Sequence, residues 1–355
     1  MLPSRLVFCG GGTRCLAFVQ TLVLLEKAGH LRNVNECWGT SAGALLATLI
    51  RLGSAEDVKK AMWSADFVKF RNIEVTNMLN IQSTWGLDDG TSLRSELERL
   101  LESIRPGSGS YVLRDVSGVN IVVADLSVHQ TIVLNREKYP DLKLVDAIRA
   151  SMSLPLLFRP FVCPLDGHLF VDGAVRAHFP WYVLPDDVAR RSALGFTFEK
   201  AWIGGPKTFV DYLFSMIHFD EPKKNADLKA HWPRNILWYP TPPFPAWFVR
   251  FREEDYSLVE QMGASVYEAF CAASAASAAS ATTSNELMHE GGSECPPGTS
   301  GNPTPCAPRC TPSPSCPPHC TTESSGSPPA CQAPFQDSSQ PQSLHKRSDS
   351  RRWSF

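Results

Sequence analysis

The stretch that decides the fold runs from Arg5 to Gly53: RLVFCGGGTRCLAFVQTLVLLEKAGHLRNVNECWGTSAGALLATLIRLG. It reads as one kind of unit used twice. Arg5 to Cys9 is a short apolar strand, a glycine turn follows, and Leu16 to Ala28 carries a helical apolar face that ends at Gly29. Val34 to Trp38 is a second strand, Gly39 begins a turn, and Ala42 to Leu52 is a helix closed by Gly53 at its C-terminal cap. Two strand-turn-helix units in succession predict a parallel sheet covered by helices. Further along, Val119 to Leu126 and Thr131 to Asn135 read as strands, and Leu144 to Met152 as a helix stopped by Pro155. His168 to Val171 reads as another strand, ending at Asp172-Gly173.

The chain has 355 residues, long enough for two average domains or one larger α/β domain with an appendage. Hydrophobic residues make up 43% and charged residues 20%, which excludes wholesale disorder, collagen-like structure and coiled coil. Net charge is −2, so no global positive field exists to hold nucleic acid, and no nucleic-acid partner is expected. No run of 18 apolar residues marks a membrane span, and Gly10 to Gly12 with Arg14 interrupt the place where a signal peptide's apolar region would run. The expected location is cytoplasmic, with peripheral contact to a membrane. Cys9, Cys15, Cys37 and Cys163 lie in or beside apolar runs and read as buried free thiols.

Composition changes at about residue 270. Beyond it, Ala/Ser repeats give way to a segment holding 13 of the 28 prolines, and residues 271–355 read as a disordered tail. Cys306, Cys310, Cys316 and Cys320 with His319 invite a zinc reading that the intervening prolines disfavour. No metal or other cofactor is expected, and a protein that binds the tail is an open partner class. Residues 1–200 read as a catalytic domain and 201–270 as an aromatic-rich extension packing on it. The extension includes Trp202, Tyr212, Phe219, Trp232, Tyr239, Trp247, Phe248 and Phe251, enough apolar surface to require a partner layer or a lipid-facing wall.

Gly39-Thr40-Ser41-Ala42-Gly43 matches the G-x-S-x-G elbow and sits where it must, between a strand and a helix. The glycines let the chain reverse tightly, and the following helix turns its positive end toward the serine. Gly10-Gly11-Gly12-Thr13-Arg14 also leaves a strand and enters a helix. Cys15 stands where a dinucleotide fingerprint needs its third glycine, and a P-loop lysine is absent, so nucleotide binding is disfavoured. Three bare amides suit an oxyanion hole instead, with Arg14 holding a phosphate or orienting the loop. Asp172 ends an apolar strand at the edge where a parallel neighbour would place Ser41, and a carboxylate there can take the serine proton. His168 and His178 read as surface or packing residues. The alternative for Ser41 is a capped βα turn, and for Asp172 a turn-forming aspartate.

These blocks, together with Ala150-Ser151-Met152-Ser153-Leu154-Pro155 and Asp172-Gly173-Ala174, resemble the patatin-like phospholipases in order and spacing over residues 5–185. The resemblance implies a three-layer α/β/α fold with a mostly parallel sheet. It also implies acyl hydrolysis by a Ser41–Asp172 dyad without histidine or metal, and an oxyanion loop of Gly10, Gly11, Gly12 and Arg14. Gly39 and Gly43 would frame the nucleophile, and Gly173 and Ala174 would carry the Asp loop. Two residues depart from the family pattern: Cys15 replaces a glycine, and His178 stands where Asn is common. The implied substrate is a phospholipid or acylglycerol ester at a membrane or lipid-droplet surface. A catalytically weak lipid-binding interaction module is the alternative.

Overall fold

The computed structural model describes residues 2–73, 79–199, 209–217, 220–247 and 250–289. In chain order its strands are β1 (Arg5–Phe8), β2 (Glu36–Thr40), β3 (Gly86–Asp88), β4 (Val119–Asp125), β5 (Gln130–Leu134), β6 (Leu156–Phe158), β7 (Phe161–Val162), β8 (Leu169–Asp172), β9 (Ala193–Phe198) and β10 (Ile236–Tyr239). The main sheet runs β10-β9-β1-β2-β4-β8-β7, with β5 also paired to β4. Pairings from β10 through β4 are parallel, while β5, β8 and β7 pair antiparallel. Strands β3 and β6 form a separate parallel pair.

Alternation along the strands builds three layers. Leu6, Phe8 and Cys37 enter a core shared with α1 (Ala17–Lys27) and α2 (Ala42–Leu52). Val7 and Trp38, one residue out of phase, enter a second core with Trp181, Leu184, Ala189 and Leu228 on the opposite face. β4 and β9 are buried along their whole length, as strands covered on both faces must be. α2 is buried almost all round, which suits its Ala/Leu composition and makes it a central helix. The molecule is thus the α/β/α sandwich with a mostly parallel sheet that the sequence predicts. Strands β9 and β10 are additions that the sequence reading does not name.

The aromatic-rich segment contributes β10 to this sheet, and Tyr239 packs edge-on to Phe18 with ring centroids 4.7 Å apart. Trp247 meets Phe158, and Phe251 meets Phe67, Phe244 and Tyr256. Tyr212 is half exposed. Trp202, Phe219 and Phe248 lie outside the described residues. The helix Glu253–His289 packs on α1, where Thr21 Oγ1 donates to Gly263 O at 2.7 Å. It continues past residue 270 because alanine-rich sequence favours helix. The remainder of the expected tail, from residue 290, lies outside the described residues with its cysteines. Cys9, Cys15, Cys37 and Cys163 are buried and free. Among the described residues no helix is long and apolar enough to cross a membrane.

Candidate active site

Strand β4 serves as the ruler for the site. Val122 pairs with Thr40 of β2, and the next residue, Val123, pairs with Asp172 of β8. Because β5 pairs with both residues, it occupies one side of β4 and leaves β2 and β8 to share the other. β2 is parallel to β4 and β8 antiparallel, so the two carboxyl ends meet head to head in one lane. Ser41, just past the end of β2, therefore faces Asp172, the last residue of β8, and Ser41 Oγ donates to Asp172 Oδ2 at 2.7 Å. The expectation that the Asp172 strand is a parallel neighbour of the serine strand is corrected here. The antiparallel return of β8 is what allows the two ends to touch.

Ser41 sits at φ 56°, ψ −128°, a conformation that L-residues seldom adopt and that the surrounding contacts must enforce. A Cβ on Gly43 would collide with the carbonyls of Phe8 and Cys9, so the turn packs directly on the end of β1. Gly39 approaches the backbone of Gly43 just as closely. The Ser41 N–H donates to Ser151 Oγ at 2.9 Å, and Ser151 Oγ donates to Val122 O at 2.6 Å. Thr40 Oγ1 donates to Ala177 O at 2.8 Å, tying the serine turn to the segment after Asp172. α2 begins at Ala42 and directs its positive end at the serine.

Asp172 is 1% exposed. Its Oδ1 accepts from the Ala174 N–H at 2.8 Å, and its own N–H donates to Ser153 O at 2.9 Å. Ser153 is braced in turn by the Arg149 guanidinium at 3.2 Å. Burial pushes the Asp172 carboxyl up to about 6, against the opposing pull of the bonds from Ser41 and Ala174 and of the nearby His178. Gly173 leaves the strand so close to Val122 O that a Cβ would collide with it.

In the glycine loop, the Gly10 N–H donates to His178 O at 2.9 Å. Gly12 adopts φ +57°, and a Cβ there would collide with Ala246 O. That same carbonyl accepts from Thr13 N and Oγ1, at 2.8 and 3.1 Å. Arg14 is buried, and its Nε donates to Phe244 O at 2.9 Å, which orients the loop. Gly11 and Gly12 stand at the start of the short helix Gly12–Leu16, where N–H groups are not used by the helix's own ladder. Cys15 lies beneath Gly11, and its thiol is pushed up by burial, so it remains neutral.

His168 is bonded to Asp125, with Nδ1 2.6 Å from Oδ2. His178 is different: it is buried against the glycine loop, with Nδ1 2.9 Å from Glu221 Oε1. Ser151 and Ser153 fall in a quoted sequence block and His178 is named as a departure from the family pattern, but their supporting roles are a matter of tertiary contact. Arg149 and Glu221 carry no sequence signal at all. Among the described residues no group of three or more His, Cys, Asp or Glu is arranged to hold a metal ion.

The family model described as patatin-like phospholipase matches residues 6–185. An uncharacterised protein of Acanthamoeba polyphaga mimivirus is 23% identical over 199 residues, covering 56% of this chain and 66% of that protein. The chain thus spans slightly less than two thirds of that relative's length. Among solved structures, VipD from Legionella pneumophila aligns with a TM-score of 0.50 at 14% identity, over 76% of this chain and 67% of that one. ExoU from the type III secretion system of Pseudomonas aeruginosa, in complex with SpcU, aligns with a TM-score of 0.43 at 19% identity, over 75% of this chain and 52% of that one.

Proposed function

Because the chain belongs to the patatin-like phospholipase family, we propose that it is a lipid acyl hydrolase in which Ser41 is the nucleophile and Asp172 its base. The observation that carries this reading is the 2.7 Å bond from Ser41 Oγ to a buried carboxylate, made from a strained turn at a helix N-terminus. Ser41 Oγ attacks the acyl carbonyl while its proton passes to Asp172 Oδ2. The oxyanion then forms beside the amides of Gly11 and Gly12, with Gly10 and Arg14 holding the loop through His178 O and Phe244 O. Collapse expels the alcohol, which takes the proton from Asp172 and leaves an acyl-serine. Water repeats the sequence and releases the fatty acid. Gly39 and Gly43 give the turn its close packing, and Gly173 and Ala174 present and bond the carboxylate.

The substrate class is a fatty-acyl ester presented at a lipid surface. Trp85 and Leu156, 54% and 41% exposed at the start of the β3–β6 pair, supply apolar side chains for such contact. A fluorophosphonate probe tests the reading: purified protein should be labelled at Ser41, and Ser41→Ala should abolish labelling while preserving the circular dichroism spectrum. A protein that binds lipid vesicles without reacting with the probe would be the interaction module instead.

A further inference from the structure

The glycine loop is held by chain that lies beyond the family-matched residues 6–185. Strand β10 ends at Tyr239, and the chain continues as Pro240-Thr241-Pro242-Pro243-Phe244-Pro245-Ala246-Trp247. Burial alternates along its second half: Pro243 and Pro245 are exposed, whereas Phe244 and Ala246 are buried. The prolines account for this extended pattern. Each fixes its own φ and pushes the residue before it into extended backbone, here Thr241, Pro242 and Phe244. A proline has no N–H, and an extended proline-rich segment has no internal ladder, so its carbonyls are left to bond elsewhere.

Two of those carbonyls bond the glycine loop. Phe244 O accepts from Arg14 Nε at 2.9 Å, and Ala246 O accepts from Thr13 N and Oγ1 at 2.8 and 3.1 Å. The fit leaves no room for a side chain on Gly12, whose Cβ would strike Ala246 O. The segment is fixed on both sides of these bonds. β10 lies in the main sheet before it, and after it Trp247 packs on Phe158 of β6 with ring centroids 5.8 Å apart. Phe244 also packs edge-on to Phe251 at 5.3 Å.

We propose that residues 241–247 form a positioning strap, whose Phe244 and Ala246 carbonyls fix the oxyanion loop and whose prolines keep the strap extended. This rests on the Ser41–Asp172 reading and on the loop's role in it. The anchored residues, Thr13 and Arg14, directly follow Gly11 and Gly12, so their bonds set where the two glycine amides stand. Amides held in place before reaction stabilise an oxyanion because they need no reorientation as charge develops. Proline has already restricted the strap in the unfolded chain, so less freedom is lost when it is ordered. Releasing the strap would also take an acceptor from the buried Arg14 guanidinium, which opposes its opening.

The test uses the full chain and a soluble short-chain ester, so that binding to a lipid surface plays no part. In the double variant Pro243→Gly/Pro245→Gly, both sites are exposed and core contacts are kept. Its kcat should fall roughly tenfold or more, a share of the 10²–10³ that losing a whole oxyanion donor costs. KM should stay within about twofold, and the acid limb of kcat should not move, because Asp172 is untouched. Inhibition by an aliphatic trifluoromethyl ketone, whose hemiketal with Ser41 carries the same oxyanion, should weaken in proportion to kcat. Thr13→Val deletes the Oγ1 bond to Ala246 O and should lower kcat by roughly threefold to tenfold, most of which Thr13→Ser should recover. A merely structural strap would lower the urea midpoint and leave kcat per folded molecule within about twofold of wild type. That result, or a loss confined to KM, would overturn the proposal. A second measurement needs no catalysis: hydrogen–deuterium exchange in the peptide spanning residues 10–16 should quicken by about tenfold or more in the proline variant, with residues 42–52 unchanged. Exchange at wild-type rates in residues 10–16 would also overturn it. A wild type that hydrolyses no ester would sink the dyad, and the exchange rates would still decide whether the strap holds the loop.

Discussion

At the amino ends of β1 and β2, Arg5 grips Glu36 through two bonds of 3.0 and 3.2 Å, Trp38 Nε1 adds a third at 3.1 Å, and Arg5 also reaches Ser192 Oγ at 2.7 Å. At the carboxyl ends, Asp172 is sealed from water and bonded to a hydroxyl and an amide, beside a serine with positive φ. One end has its charges cross-linked and partly wet, with side chains 23% and 32% exposed. The other concentrates strain and an undercompensated carboxylate in the core. Binding energy that would stabilise the second end has been left unrealised, a pattern expected where a group must stay reactive. The contrast makes quantitative demands on both ends.

The largest effect should come from Ser41→Ala. Probe labelling and ester hydrolysis should fall by roughly 10³-fold or more, and activity near wild type would erase the distinction between the ends. Next is Asp172→Asn, whose labelling rate should drop by about 10²–10⁴. This variant should also be the more stable protein at neutral pH. The native carboxyl is raised to about 6, above its usual value near 3.9. Its contribution to stability is therefore full below that lower value and is lost as pH rises through about 6. Denaturant titration of Asp172→Asn should accordingly show a gain over wild type that grows between pH 4 and 7 to roughly 2–3 kcal/mol. A constant difference across that range would mean the carboxylate is not strained by burial. For wild type, the same upward shift places the acid limb of activity near pH 6 rather than near pH 4. A limb at that position would be mistaken for a histidine unless the variants are compared.

Ser151→Ala should have an intermediate effect. It removes the acceptor for the Ser41 N–H and the donor to Val122 O. A loss of about 1–3 kcal/mol in stability is expected from the orphaned groups. The serine turn would shift too, slowing labelling by roughly tenfold to a hundredfold. Smallest should be Glu36→Gln at the amino edge. Partly exposed ion pairs contribute at most about 1 kcal/mol, so the urea midpoint should move slightly while labelling is unchanged. A large catalytic defect in Glu36→Gln would show that the two ends of the strands are coupled.

From the sequence, the strand-turn-helix units of Arg5 to Gly53 are readable because apolar period, glycine turns and helix stops operate within windows of a few residues. Ser41 and Asp172 are legible as candidates for the same reason: each stands at a strand end beside a glycine. Strands β9 and β10 escaped this reading, although β9 is buried throughout. A short apolar run with no period of its own does not announce a strand. The antiparallel course of β8, the bracing of Ser41 by Ser151 and the pairing of His178 with Glu221 were decided by tertiary structure alone. Each joins residues 43 to 110 positions apart in the chain. Which of them meet depends on the lane and direction a strand takes beside β4. Local sequence specifies that a strand exists and where it stops, whereas its lane and direction follow from how the whole chain buries its two apolar faces.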